Sequence, residues 1–474
     1  MPLFTVDEVL ELTGARLLTT GRSRTLRRGI RRICTDSRLV RQGDLFVALK
    51  GDRFDGHEFV DSAMRQRVIG ALVKDRYRSP TVPSSQEKSP PLLLGVPDTL
   101  VAFQQLAAHH RNRFQIPVVA VTGSNGKTTT KDMVAHVLAE RWSVLKTEGN
   151  LNNRIGVPQT LFRLNGKHEV AVIEMGVDQK GQTTRLCEMA RPTIGLITNI
   201  GPDHLEFFGS LDVSAEAKGE LLDALPAEGA AILNADDAYF EYLASRAPCR
   251  VLSFGVSENA HVRAEEVATH PQRGLTFQLR VPGRARSQRV SLQTYGTHNL
   301  LNALAAAAVG HLLGISGAAI AHGLARFRPV TMRSQVSVWE GLTIINDSYN
   351  ANPASMKAAI DLLTELGTGK RTIAVLGNML ELGPNTMALH RDVGTYLAQR
   401  GISRLIACGD LAGGMVEGAR LAGMAPERVH QVADVGEAAS VLRSFAGEGD
   451  VILLKASRGV QMEKVLEILK GRDR

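Results

Sequence analysis

The chain has 474 residues, 44% of them hydrophobic and 22% charged, and its mean hydropathy is -0.05. That balance excludes a disordered chain or a disulfide-stapled module, and at roughly 150 residues per domain it predicts about three domains with cores of their own. Fifty-six Lys and Arg against 48 Asp and Glu leave +8, nearly all of it from eight arginines (22, 24, 27, 28, 31, 32, 38 and 41) set against one acid, Asp36, so the surplus points to a local anionic partner and not to a whole basic face.

From Met1 to Glu8 no positive region precedes an apolar run, so no secretory signal is expected. Residues 1–114 read as a small α/β domain, with strands at Asp44–Leu49 and Val68–Val73 and a helix over Thr99–Phe114. The Pro/Ser-rich stretch 79–91 inside it reads as a surface insertion. Residues 115–329 form a central domain with a mostly parallel sheet. It opens on the strand Pro117–Val121 and continues through Val170–Glu174, Ile194–Asn199 and Ala230–Asn234.

Val290–Ala325 carries no charge, but its histidines, asparagines and the Gly314–Gly317 turn predict a buried helix pair and no membrane insertion. Residues 330–474 alternate strand and helix (342–346, 354–366, 372–376, 386–400, 405–408, 451–454, 461–469), the pattern of a doubly wound, Rossmann-like domain with ligands at the carboxyl ends of its strands. Cys34, Cys187, Cys249 and Cys408 form no C-x-x-C pair, which predicts reduced thiols and a cytoplasmic location.

The chemistry begins after Val121. Thr122-Gly123-Ser124-Asn125-Gly126-Lys127-Thr128-Thr129 joins a buried strand to a helix, as a phosphate-binding loop requires. Glycines let backbone N–H groups converge on phosphate oxygens, Lys127 reaches the terminal phosphates, and a Thr128 or Thr129 hydroxyl can hold magnesium. Val121 occupies the place of the first glycine in the common G-x-x-x-x-G-K-[ST] pattern, yet the context still indicates ATP.

Other positions carry two readings. Glu174 and His204 follow strands and either hold magnesium or serve as a solvated cap and a structural donor. Lys218 alone reads as a surface helix lysine, and Asn299 as a helix cap. Asp36-Ser37-Arg38 and Asp55-Gly56-His57 read as turns, and Asn152 and Asn153 as loop-stabilising amides.

The Thr122–Lys131 loop resembles the ATP loop of the Mur ligases, which build the peptide of bacterial cell-wall precursors. The resemblance extends through Thr35-Asp36-Ser37-Arg38, Phe54-Asp55-Gly56-His57, the asparagine-rich 149–158, Glu174-Met175-Gly176, Thr198 to Glu206, Ala217-Lys218-Gly219-Glu220, His298-Asn299, Met332-Arg333 and Asp347 to Pro353. The asparagine-rich loop, Glu-Met-Gly and Ser-Tyr-Asn-Ala-Asn-Pro favour the member that adds D-alanyl-D-alanine to UDP-N-acetylmuramoyl-tripeptide. The resemblance implies ATP and two Mg2+ ions, with Thr128, Glu174, His204 and a carbamylated Lys218 as metal ligands. Gly123, Asn125, Gly126, Lys127, Thr128, Thr129, Asn299, Arg333, Asp347 and Tyr349 would surround the nucleotide. Ser37, Arg38, Asp55 and His57 would take the UDP end of the substrate, and Asn152 and Asn153 its peptide path.

Asn346, Asn378, Ala456 and the segment 177–182 depart from the family pattern. The implied reaction is amide ligation through an acyl phosphate, and nothing in the sequence demands more than a monomer. The alternatives are a neighbouring Mur-type or folylpolyglutamate-synthase-like ligase and, from another class, an ATP-regulated nucleic-acid binder. No aromatic residue lies between Arg22 and Arg41 to support the last.

Overall fold

The computed structural model describes residues 2–19, 26–51, 54–78, 91–270 and 273–471. Each of three sheets forms around strands whose side chains are buried on both faces, which is why their sequences are unbroken apolar runs. Asp44–Val47, Gly70–Lys74 and Leu92–Val96 lie side by side in the five-stranded N-terminal sheet. Helix Thr99–Asn112, started by the Asp98 carboxylate accepting from the Leu100 and Val101 amides, packs its Ala102, Phe103 and Leu106 face into that domain's core.

The central sheet has nine strands in the order 288–292, 274–280, 262–270, 250–255, 230–234, 194–197, 118–122, 170–174, 144–146. Its neighbours pair parallel except where 262–270, 274–280 and 288–292 meet as antiparallel strands. That extension was not expected from the sequence, although Leu275, Phe277 and Leu279 alternate inward with period two. Val118–Thr122 lies between Ile194–Ile197 and Val170–Glu174, so the loop leaving it emerges mid-sheet between two other carboxyl ends.

The uncharged segment folds as the helices Thr297–Leu312 and Gly317–Arg326, which pack with Lys127–Leu138. Ala303 to Ala308 are fully buried, since small side chains let the helices approach closely. Among the described residues no helix is long and apolar enough to cross a membrane. The C-terminal sheet runs 335–339, 342–346, 451–455, 372–377, 404–408, 429–432, parallel apart from its first pair. The chain is therefore α/β throughout, in three domains.

Arg22, Arg24 and residues 79–90 lie outside the described residues. Of the other arginines in the basic run, Arg32 is paired with buried Asp44 at 2.6 Å, and Arg38 with Asp36 at 2.7 Å. The four cysteines are free thiols.

Candidate active site

The loop after Val118–Thr122 is shaped by two glycines in left-handed backbone, Gly123 at φ +134° and Gly126 at φ +81°. A Cβ on Gly123 would strike Thr198 Oγ1, and one on Gly126 would strike Asn302 Oδ1, so neighbouring elements press directly on the turn. Lys127 opens the following helix, and its ammonium curls back to donate to the carbonyls of Gly123 (2.6 Å) and Ser124 (3.2 Å). The Asn125 amide donates to Asn199 Oδ1, and the Thr198 hydroxyl and Asn199 Nδ2 donate to the Asn125 carbonyl, which ties the loop to the next strand end.

Glu174 is 1% exposed at the end of its strand, so the solvated-cap reading fails. Its Oε1 accepts from Asn152 Nδ2 at 2.8 Å and from the Thr128 hydroxyl at 3.1 Å, while Oε2 is buried with no protein partner. A buried carboxylate oxygen without a donor is costly unless a cation meets it.

Lys218 is not a surface residue. It is 1% exposed, donates to Asp203 Oδ1 at 3.0 Å and to the Ser214 hydroxyl at 2.6 Å, and lies 4.6 Å from the centre of the Phe208 ring. Burial drives its ammonium below the usual lysine range. Burial alone would raise the Asp203 carboxyl, but Lys218, Lys127 and the Ser124 hydroxyl outweigh it and hold that group below the usual carboxylate range. The Asp203 side chain thus stands between Lys218 and Ser124 of the loop, and accepts from the latter at 2.6 Å.

The C-terminal domain reaches the same place. Arg333 Nη2 donates to the Thr128 hydroxyl at 3.2 Å, and its guanidinium lies 4.1 Å from the centre of the Tyr349 ring. Asp347 accepts from the Ser334 amide and from Lys455, and Asn352 Nδ2 donates to Asn125 Oδ1 at 2.8 Å. His204 Nδ1 meets Glu381 at 2.6 Å. Asn299 does not cap its helix, because Gly296 holds that position; its amide instead donates to the Thr294 hydroxyl and the Tyr295 carbonyl and accepts from Asn302.

A cavity of about 1600 Å³ joins Asn125 to Thr129, Asn152, Asn153, Glu174, His204, Asn299, Arg333, Asp347 and Tyr349. Gly123 and Lys218 lie behind its wall and do not line it. Ser37, Arg38, Asp55 and His57 are not brought to it either. The Arg38 guanidinium is held by Asp36, whose carboxyl this pairing lowers to about 2. His57 Nδ1 pairs with Asp55 at 2.6 Å and its Nε2 accepts from the Lys74 amide, so both ring nitrogens are engaged. Asn153 Oδ1 accepts from the Ile155 and Gly156 amides and so shapes the turn, as a loop-stabilising amide would.

Asp203, Asn302, Asn352, Glu381 and Lys455 were not singled out from sequence. Asp203 and Asn352 sit inside the 198–206 and 347–353 motifs, and Lys455 is a charge ending an apolar strand, as Glu174 is.

Residues 29–111 match the Mur ligase family catalytic domain, 121–310 the Mur ligase middle domain and 332–458 the Mur ligase glutamate ligase domain. The chain is 36% identical over 467 residues to the UDP-N-acetylmuramoyl-tripeptide--D-alanyl-D-alanine ligase of Bacillus subtilis, covering 98% of each. The chain belongs to the Mur ligase family. Among solved Mur ligases it is similar to MurF from Acinetobacter baumannii, with a TM-score of 0.88 at 31% identity and 99% of each chain covered. MurF from Thermotoga maritima in complex with ADP gives 0.81 at 28% identity, covering 93% of this chain and 97% of that one.

Proposed function

We propose that this chain is the ATP-dependent ligase that joins D-alanyl-D-alanine to the terminal carboxylate of UDP-N-acetylmuramoyl-tripeptide. The observation that carries the reading is similarity to the Bacillus subtilis ligase of that name over 98% of both chains. A carboxylate is a poor electrophile because its leaving group would be oxide. Its oxygen therefore attacks the γ-phosphorus of ATP, the bond to the β,γ-bridging oxygen breaks, and ADP leaves. The D-alanyl-D-alanine amine, having lost its ammonium proton, then attacks the acyl carbon, and the carbon–oxygen bond to phosphate breaks.

Lys127 and Arg333 would disperse the charge that grows on the transferred phosphoryl group. The Lys127 ammonium is held at the loop by the Gly123 and Ser124 carbonyls, while Arg333 is fixed against Tyr349 and Thr128. Asn299, Asp347 and Tyr349 complete the nucleotide wall, with Gly123, Asn125, Gly126 and Thr129 shaping the phosphate cradle. The donor set suits Mg2+: Thr128, Glu174 with its unpartnered buried oxygen, His204 and, once carbamylated, Lys218 would hold it. Bound there, Mg2+ neutralises phosphate charge. Burial favours the neutral Lys218 amine, the form that adds CO2.

In this reading 1–114 takes the UDP end through Ser37, Arg38, Asp55 and His57, 115–329 takes ATP, and 330–474 takes the incoming dipeptide. Asn152, bonded to Glu174, and Asn153 lie along the tripeptide. Reliance on ATP and the free thiols support a cytoplasmic site of action. The test is phosphate release from ATP across a panel of UDP-muramoyl peptides offered D-alanyl-D-alanine, single amino acids or glutamate. Release that requires the tripeptide and D-alanyl-D-alanine together is expected; release with a single amino acid or glutamate in its place overturns the reading.

A further inference from the structure

His204 and Glu381 face each other across the boundary between the central and C-terminal domains, Nδ1 to Oε2 at 2.6 Å. Both residues sit in left-handed backbone, at φ +49° and φ +62°. Such a conformation is strained for a non-glycine residue and persists only where surrounding contacts impose it. Here the imposing contacts are visible. Beside Glu381, the Met379 amide donates to His390 Nε2 and the Leu380 amide to the Ser457 hydroxyl, while the Glu381 carbonyl accepts from the Glu206 amide across the boundary. Beside His204, Asp203 is pinned by Ser124 and Lys218. Two anchored loops thus present one imidazole to one carboxylate.

A carboxylate accepts only, so the neutral ring donates Nδ1–H to Glu381 and keeps its lone pair on Nε2. A histidine that holds a metal needs that tautomer, and its other nitrogen is generally fixed by a carboxylate or carbonyl. We infer that Glu381 is the positioning residue that sets His204 for Mg2+, and that this ligand is completed only when the C-terminal domain is docked. The inference rests on the proposed metal role of His204. It adds a dependence: the ion's affinity reports domain docking, because the orienting carboxylate and the ligand belong to different domains.

The test titrates Mn2+ into the full chain with a non-hydrolysable ATP analogue, followed by electron paramagnetic resonance, for wild type, Glu381→Ala, Glu381→Gln and His204→Ala. Melting curves establish that each variant is folded. Glu381→Ala is expected to bind the His204-dependent ion about 10–100-fold more weakly, the usual effect of losing such a support. Glu381→Gln, whose amide oxygen still accepts from Nδ1–H, is expected to stay near wild type. If Glu381→Ala binds like wild type while His204→Ala loses an ion, the metal reading stands and the role of Glu381 is overturned. If Glu381→Gln is as weak as Glu381→Ala, orientation by an acceptor is overturned. If His204→Ala loses no ion, the metal role of His204 and the inference resting on it both fall.

Discussion

Replacing Gly126 with alanine should damage the central domain far more than one methyl group suggests. The backbone there is left-handed at φ +81°, which costs alanine about 1–2 kcal/mol. The new Cβ would lie far inside van der Waals contact with Asn302 Oδ1, so Asn302, 5% exposed, must move. Asn302 accepts from Thr130 at 3.0 Å and donates to Asn299 at 3.1 Å, and both partners are buried. Leaving each without its bond costs about 1–3 kcal/mol, for a total of about 5 kcal/mol. At roughly 2–4 °C per kcal/mol for a domain of about 200 residues, Tm falls by about 10–20 °C. Gly149→Ala is the control, with φ +53° but no atom within 4 Å of the added Cβ. It bears the backbone cost alone, so its Tm falls by only a few degrees. Thermal melts followed by circular dichroism, with and without ADP, measure both. Equal melting temperatures for the two variants would refute the packing argument, and an undiminished ADP-induced rise in Gly126→Ala would refute the placement of nucleotide on this loop.

Lys127→Ala should lower turnover by about a hundredfold or more, as removal of one charge-stabilising donor does elsewhere; phosphate release near the wild-type rate would rule the loop out as the phosphate site. His390 gives a pH dependence whose sign follows from its contacts. Its buried ring donates from Nδ1 to the Thr386 carbonyl and accepts the Met379 amide at Nε2, and burial holds its pKa below the ordinary 6.5. A depressed folded-state value means its contribution is intact above pH 6.5 and is lost as pH falls through the folded value, because the unfolded chain takes the proton first. Urea unfolding of the C-terminal domain at pH 7.5 and 5.5 should show that loss, and His390→Gln should shrink it. An unchanged pH difference in the variant would assign the effect to other groups.

The parts of this molecule that were legible in sequence are those determined locally. A buried apolar run, two glycines and Gly-Lys-Thr place a phosphate loop between strand and helix without reference to anything remote. Burial of charge is different, because it is decided by residues far away in the chain. Glu174 is buried because Asn152 and Thr128 come from other segments to meet it. Lys218 did carry a signal: Leu221 and Leu222, three and four residues on, and Ser214, four before, share its helix face, and all are buried. Read by composition, Ala-Lys-Gly-Glu looks like solvent-facing helix; read by periodicity, the lysine belongs to the inner face. The cap reading of Asn299 fails for a related reason. Asparagine suits a helix cap, but the left-handed twist of Gly296 starts this helix earlier and frees the amide to serve Asn302 and Thr294.

Among the described residues five polar contacts join the C-terminal domain to the phosphate loop's surroundings: Arg333 to Thr128, Asn352 to Asn125, Glu381 to His204, the Glu206 amide to the Glu381 carbonyl, and His298 to Ser334. At a net worth of about 1 kcal/mol each, they contribute about 5 kcal/mol toward the docked arrangement, against which stands the entropy of ordering the two domains. A phosphate anion between Lys127 and Arg333 interacts with both domains only when they are docked, and thermodynamic linkage then requires ATP to shift the population toward that state. The same shift would bring the Glu381 carboxylate to His204. On the proposed roles of Lys127, Arg333 and His204, nucleotide binding, domain docking and the preparation of a metal ligand would form a single coupled equilibrium.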